Sequence, residues 1–224
     1  MKTAILVDAA FFLKRGVHTL GWGKETTPSQ WAQDLHLLAR QHLKKFQSEP
    51  EQDLYRIFVY DAPPSEKTIS KPVSRSNWDL GKTATYQRRL TFHKELLKLR
   101  KVALRLGRLD NHTTWVLRSH VISDLLGDRK QGVNLQDEDF YPNIKQKQVD
   151  MKLGLDIASL AYKSLVERIV LVAGDRDFVP AAKLARREGI DFILDPMGHG
   201  VSDDLLEHID GLFNAHVALE RMKK

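Results

Sequence analysis

Four carboxylates stand where the chain could do chemistry. Asp8 directly follows the apolar run Ala4–Val7, and Asp175 and Asp177 follow the run Arg168–Val172 across the short turn Ala173-Gly174. Asp150 sits near the start of a helical segment, Val149–Leu165. In an open parallel sheet, ligands bind beyond the carboxyl ends of the strands. If the two runs are neighbouring strands, Asp8, Asp175 and Asp177 converge there, and the helix start brings Asp150 toward the same crevice. Clustered carboxylates repel, and their uncompensated burial is expensive. A hard divalent cation such as Mg²⁺ or Mn²⁺ removes that problem with oxygen donors alone. It also activates water and clamps phosphate oxygens, which is the chemistry of phosphodiester hydrolysis. Each acid has an ordinary reading as well. Asp150 could complement a helix dipole, Asp175 or Asp177 could be an N-cap, and Asp8 could be a turn residue. Asp156, six residues after Asp150, falls about 600° further round the helix, on a different face. It is read as a supporting or a structural acid.

The elements that must position these acids follow from periodicity. Ala4–Val7, Tyr55–Tyr60, Val102–Leu106, Thr113–Leu117, Arg168–Val172 and Asp191–Leu194 read as strands, rich in β-branched, aromatic and aliphatic residues. Trp31–Phe46 carries apolar residues at three- and four-residue spacing and reads as an amphipathic helix, started by Thr27-Pro28-Ser29. Tyr86–Lys101, Val149–Leu165 and Phe178–Glu188 read as helices, and Asp203–Phe213 as one terminal helix or two short ones. Alternating strands and helices predict a mainly parallel sheet covered on both faces, an α/β chain. Ala62–Thr85 and Gly127–Lys147 read as irregular.

The 224 residues suit a single domain spanning 1–224, with a core that needs no staples. There is no Cys, so disulfides and thiolate metal sites are excluded. The net charge is +6, and it is unevenly placed. Between Pro64 and Arg108 twelve Lys and Arg face three acids, a surplus of nine, so the remainder is net acidic. That asymmetry suits an anionic centre beside a cationic substrate track. Arg88 and Arg89 are candidate substrate-binding residues, and Trp78, Tyr86 and Phe92 lie among the charges, where they could stack on unpaired bases. A solvated helix face with core aromatics is the plainer alternative.

No GxxxxGK[ST] loop, GxGxxG turn, HExxH pair or GxSxG elbow is present, which removes support for P-loop, dinucleotide, zincin and serine-hydrolase chemistry. The apolar run Ala4–Val7 meets Asp8 at once and is too short for a signal-peptide core or a membrane span. The expectation is a cytoplasmic protein with no membrane partner.

Three segments carry a family resemblance: ILVDAAFFLKR (Ile5–Arg15), KQVDMKLGLDIASLA (Lys147–Ala161) and IVLVAGDRDFVPAAKLARREG (Ile169–Gly189). Together they resemble the NYN domain, and more narrowly its LabA-like branch within the PIN-like nuclease superfamily. The third is similar to an SGDSDF block, with Ala173 and Arg176 in place of Ser; the second matches a K-x-V-D block. The resemblance implies a PIN-like three-layer α/β/α sandwich and a ribonuclease-type site using Mg²⁺ or Mn²⁺. By position its metal-binding acids fall on Asp8, Asp150, Asp175 and Asp177, and Lys147 falls on the Lys of the second block, where it could meet a phosphate. The sequence departs from the family's DGxN after the first strand, since Asp8 is followed by Ala9-Ala10-Phe11. The basic middle, about 64–143, is not covered by these motifs.

The expected function is therefore metal-dependent hydrolysis of single-stranded RNA. A non-catalytic RNA- or protein-binding regulatory module is the alternative, and a phosphatase acting on a small substrate is a third. Oligomeric state is open, with a homo-oligomer among the partners to test.

Overall fold

The computed structural model describes residues 1–44, 53–110, 112–127 and 134–223. The chain begins with β1 (Lys2–Asp8), α1 (Ala9–Thr19), α2 (Pro28–Lys44) and β2 (Asp53–Asp61). Then come β3 (Thr68–Ser70), β4 (Asn77–Asp79), α3 (Ala84–Lys98), β5 (Val102–Leu106), β6 (Arg108–Leu109), β7 (Thr114–Leu117) and α4 (Ser119–Leu126). The last part holds β8 (Phe140–Asn143), β9 (Gln146–Lys147), α5 (Val149–Tyr162), β10 (Arg168–Val172), α6 (Val179–Arg187), β11 (Asp191–Asp195), α7 (Asp203–Leu206), β12 (Gly211–Leu212) and α8 (Ala215–Lys223).

Six strands form the central sheet in the order β12-β11-β10-β1-β2-β5. All its pairings are parallel. Alternate side chains of a strand point to opposite faces, and that sorts the core into two halves. Ala4, Leu6, Phe58, Tyr60, Ile169 and Leu171 pack beneath α5 and α6 with Leu153, Ile157, Phe178 and Ala182. Ile5, Val7, Ile57, Val59, Val170 and Val172 pack against α1, α2, α3 and α8 with Phe12, Leu35, Leu38, Phe92 and Leu96. The result is a three-layer α/β/α sandwich. Strands buried on both faces must be apolar throughout, which is why Arg168–Val172 reads as one unbroken hydrophobic run and is buried along its whole length.

The strand order reverses beside β1. The chain moves from β1 to β2 and β5 on one side, then returns to β10 on the other and continues outward to β11 and β12. Such a switch point leaves a crevice beyond the strand ends, because the two flanking connections leave in opposite directions. The register pairs Val7 with Val172, so Asp8 and Ala173 stand side by side at the mouth of that crevice.

Several elements differ from expectation. Helix α1 was not expected; it starts because Asp8 caps it, and it seats Phe12 in the core at 0% exposure. The segment Asp203–Phe213, expected as one terminal helix or two short ones, is instead α7 followed by the edge strand β12, whose Gly211 and Leu212 pair with Ile193 and Leu194 of β11; α8 follows. The stretches read as irregular contain the short strands β3, β4, β8 and β9; β3 pairs with β4, β9 with β6 and β8 with β7, all antiparallel and outside the main sheet. The expected end of the second helix at Phe46 lies outside the described residues. Among the described residues, no helix is long and apolar enough to cross a membrane.

Candidate active site

Asp8 is the best-anchored acid of the crevice. Its Oδ1 accepts the backbone N–H groups of Ala10 (2.9 Å) and Phe11 (3.2 Å) as the N-cap of α1. Burial pushes its carboxyl up to about 6; the two amide hydrogen bonds oppose this, and the charges of Asp150 and Asp61 add to it. Asp150 lies in the first turn of α5. Burial raises it as well, followed by repulsion from Asp175 and Asp177. Asp175 caps the short 3₁₀ turn Arg176–Phe178, its Oδ1 accepting the Asp177 N–H at 2.9 Å. So Asp8 interacts electrostatically with Asp150, and Asp150 with Asp175 and Asp177.

Capping and ligation are not exclusive here. Asp8 and Asp175 each accept backbone amides on Oδ1 alone, and both residues line the crevice. Asp150, Asp175 and Asp177 are exposed and can rotate. The donor set is all oxygen, which suits a hard cation. As the side chains stand, no three His, Asp or Glu among the described residues are grouped closely enough to hold one ion. Binding therefore requires the exposed acids to turn toward Asp8.

Backbone geometry brings α5 into place. Gln148 adopts a left-handed conformation (φ 70°) just before Val149, turning the chain out of β9 into the helix that carries Asp150. Gly107 makes room for this, since a Cβ there would stand 2.6 Å from the Lys147 carbonyl oxygen and 2.7 Å from Val149.

The crevice itself, about 560 Å³, is lined by Asp8, Phe11, Lys14, Asp175, Arg176 and His199, among others. Phe11, which replaces the polar residue of the family pattern, lies over the backbone of Gly174. A Cβ on Gly174 would meet its ring at 2.5 Å. The His199 ring stands edge-on to Phe11, with centroids 6.2 Å apart. Lys14 and Arg176 were not singled out in the sequence. Lys14 follows Asp8 by six residues within α1, and Arg176 stands between two candidate acids, so both could have been placed at the site.

Asp61 directly follows the expected strand Tyr55–Tyr60 and was not singled out in the sequence. It ends β2 as Asp8 ends β1, and it is wholly buried. Its Oδ1 accepts its neighbour's N–H, from Ala62 at 2.8 Å. Its Oδ2 is bonded to Arg89 Nη1 (3.0 Å) and His93 Nε2 (2.7 Å). The strand-end logic that selected Asp8 applies equally to it.

The structure does not gather the remaining candidates around the acids. Arg89 is committed to Asp61. Arg88 stacks over Trp31 at 4.6 Å and donates to the Thr26 carbonyl. Lys147 is exposed and pairs with Asp110 at 2.8 Å. Asp156 accepts the Tyr60 hydroxyl (2.8 Å) and faces Arg105 at 3.3 Å, tying α5 to the sheet. Phe92 is a core residue at 0% exposure and is unavailable for stacking. Much of the basic surplus is spent on internal pairs, including Lys71–Asp137, Lys98–Glu95 and Lys101–Asp53.

A comparison with curated proteins finds no match. Among solved structures, a protein of unknown function from Vibrio parahaemolyticus is similar at 15% identity, covering 94% of this chain and 90% of that one with a TM-score of 0.46. The NYN domain matches residues 78–210, a span that contains Lys147, Asp150, Asp175 and Asp177 and begins after Asp8. With well over half of its length matched, from the β4 strand to the residue before β12, the chain belongs to the NYN domain family.

Proposed function

We propose that this chain is a ribonuclease that hydrolyses phosphodiester bonds of single-stranded RNA with the help of Mg²⁺ or Mn²⁺. The observation that carries the proposal is the chain of mutually repelling carboxylates, Asp8 to Asp150 to Asp175 and Asp177, at the switch point of a parallel sheet. Repulsion of this kind is a standing cost to the fold unless a cation offsets it. Membership in a nuclease superfamily supports the same reaction class. Within the family we assign the chain to the LabA-like branch, on the blocks that contain Asp8, Lys147–Asp150 and Gly174–Phe178. We treat residues 1–224 as one working unit, because β1, which carries Asp8, is hydrogen-bonded to β10, which leads to Asp175.

Asp8, Asp150, Asp175 and Asp177 would hold the cation, which when bound supplies a more acidic water and charge neutralisation at phosphate oxygens. The chain's own residues do the rest. The α1 amides hold Asp8 in place through Oδ1 at the edge of the crevice. Lys14 and Arg176 line the same crevice and offer cations to non-bridging phosphate oxygens. Phe11 and His199 wall the same crevice beside Gly174.

The test is cleavage of end-labelled single-stranded RNA in Mn²⁺, with EDTA as control. Cleavage should require the metal and vanish in Asp175→Asn, whose side-chain oxygen can still accept the Asp177 amide and keep the turn. Undiminished cleavage by that variant refutes the assignment. Metal-independent binding without cleavage would favour the regulatory-module reading instead.

A further inference from the structure

Beyond the C-terminal end of β2 lies a second concavity that the acid crevice does not use. It measures about 300 Å³ and is walled by Pro63, Pro64, Trp78, Tyr86, Arg89 and Leu109. Ser65, Thr85 and Gln146 add hydrogen-bonding groups. That volume is at the low end for ligand sites, near 300 Å³, and fits one flat heterocycle with its sugar. Its walls are held firmly. Trp78 stacks on Trp115 (centroids 6.2 Å apart, planes 22° apart), and Trp115 Nε1 donates to the Ser70 carbonyl at 3.0 Å. The Tyr86 hydroxyl donates to Glu66.

Two features select the occupant. The pocket's aromatic walls, with the Gln146 amide and the Ser65 and Thr85 hydroxyls beside them, suit the face and the edges of a nucleobase. It is also wired to the acids: Arg89 forms part of its wall and binds Asp61, whose charge is felt at Asp8. A further cavity that shares Trp78 is lined by Lys71, Trp115 and Arg118 together with Asp137 and Glu138. An aromatic slot of this size matches one base of a nucleic-acid strand whose bases are unpaired.

We propose that the slot between Pro64, Trp78, Tyr86 and Arg89 is a subsite for one unpaired nucleobase of the bound RNA, adjoining the cleavage centre. The inference rests on the reading of the acid crevice as that centre. It sharpens the expectation from sequence: Trp78 and Tyr86 share this one pocket, while Phe92 is in the core.

The test uses fluorescein-labelled octauridylate and octaadenylate, and a fully abasic octamer of equal charge, measured by anisotropy in EDTA to prevent turnover. Stacking of one base is worth about a tenfold difference in affinity. Wild type should bind the base-bearing octamers about tenfold more tightly than the abasic one. Trp78→Ala should erase that preference and leave abasic binding unchanged, and Trp78→Phe, which keeps an aromatic face, should retain it. Should Trp78→Ala fail to fold, photocrosslinking of a 4-thiouridine octamer to the wild-type protein decides. Adducts on the peptide spanning residues 76–82, which carries Trp78, support the subsite, and adducts only elsewhere overturn it. Equal affinity of wild type for abasic and base-bearing octamers, or equal weakening of both by Trp78→Ala, also overturns it. Metal-dependent cleavage with no base preference removes the subsite and leaves the ribonuclease reading standing. A Trp78-dependent base preference without cleavage leaves the subsite and removes the catalytic reading.

Discussion

Replacing Asp8 with Asn should stabilise the protein at neutral pH. The Asp8 carboxyl titrates at about 6 in the folded chain against 3.8 as its ordinary value. The unfolded chain therefore loses this proton first. Folded-state stability is unpenalised below about pH 4, falls as pH rises through about 6, and stays reduced above that. A difference of about two pH units, at roughly 1.4 kcal/mol each, amounts to about 3 kcal/mol by pH 7.5. Asparagine keeps an oxygen for the Ala10 and Phe11 amides and so preserves the cap, but it carries no charge to be buried beside Asp150 and Asp61. Urea unfolding in EDTA at pH 4, 5, 6 and 7.5 measures the effect. The Asp8→Asn protein should match wild type at pH 4 and exceed it by 1 to 3 kcal/mol, roughly, at pH 7.5. A gap between the two proteins that does not change with pH would refute the claim that burial and neighbouring acids destabilise the Asp8 carboxylate. Repeating the measurement with Mn²⁺ at one hundred times its dissociation constant should add about 2.7 kcal/mol to wild type and little to the variant.

Other outcomes follow from the same geometry. Asp61→Ala leaves Arg89 and His93 without their shared buried partner and should cost about 3 to 5 kcal/mol in denaturant unfolding. Phe12→Ala opens a cavity between α1 and the sheet and should cost about 3 to 5 kcal/mol in the same assay. Gly174→Ala drives a methyl group against the Phe11 ring, so cleavage should slow; Phe11→Ala should relieve the clash, making the double variant faster than Gly174→Ala alone. RNA affinity should fall steeply between about 50 and 200 mM salt through counterion release, and a flat dependence in filter binding would argue against a phosphate-tracking surface.

The sequence by itself determined the sheet and much of the site's location. Runs such as Arg168–Val172 can be satisfied only with both faces covered, which forces helices onto either side. Acids directly after such runs must then emerge at the carboxyl edge, and Asp8 and Asp175 do. Short edge elements were not legible. Gly211-Leu212 becomes a strand only because β11 offers it a free edge, unlike α1, whose cap Asp8 is local. Local pattern carries no record of such long-range partners. The fate of the cations was equally hidden. Arg88 and Arg89 are neighbours in a basic run, yet one lies over Trp31 and the other serves a buried Asp61. Which charge faces a substrate and which one is spent internally depends on what the fold sets opposite it. That opposition arises between residues far apart in the chain, so only the tertiary structure decides it.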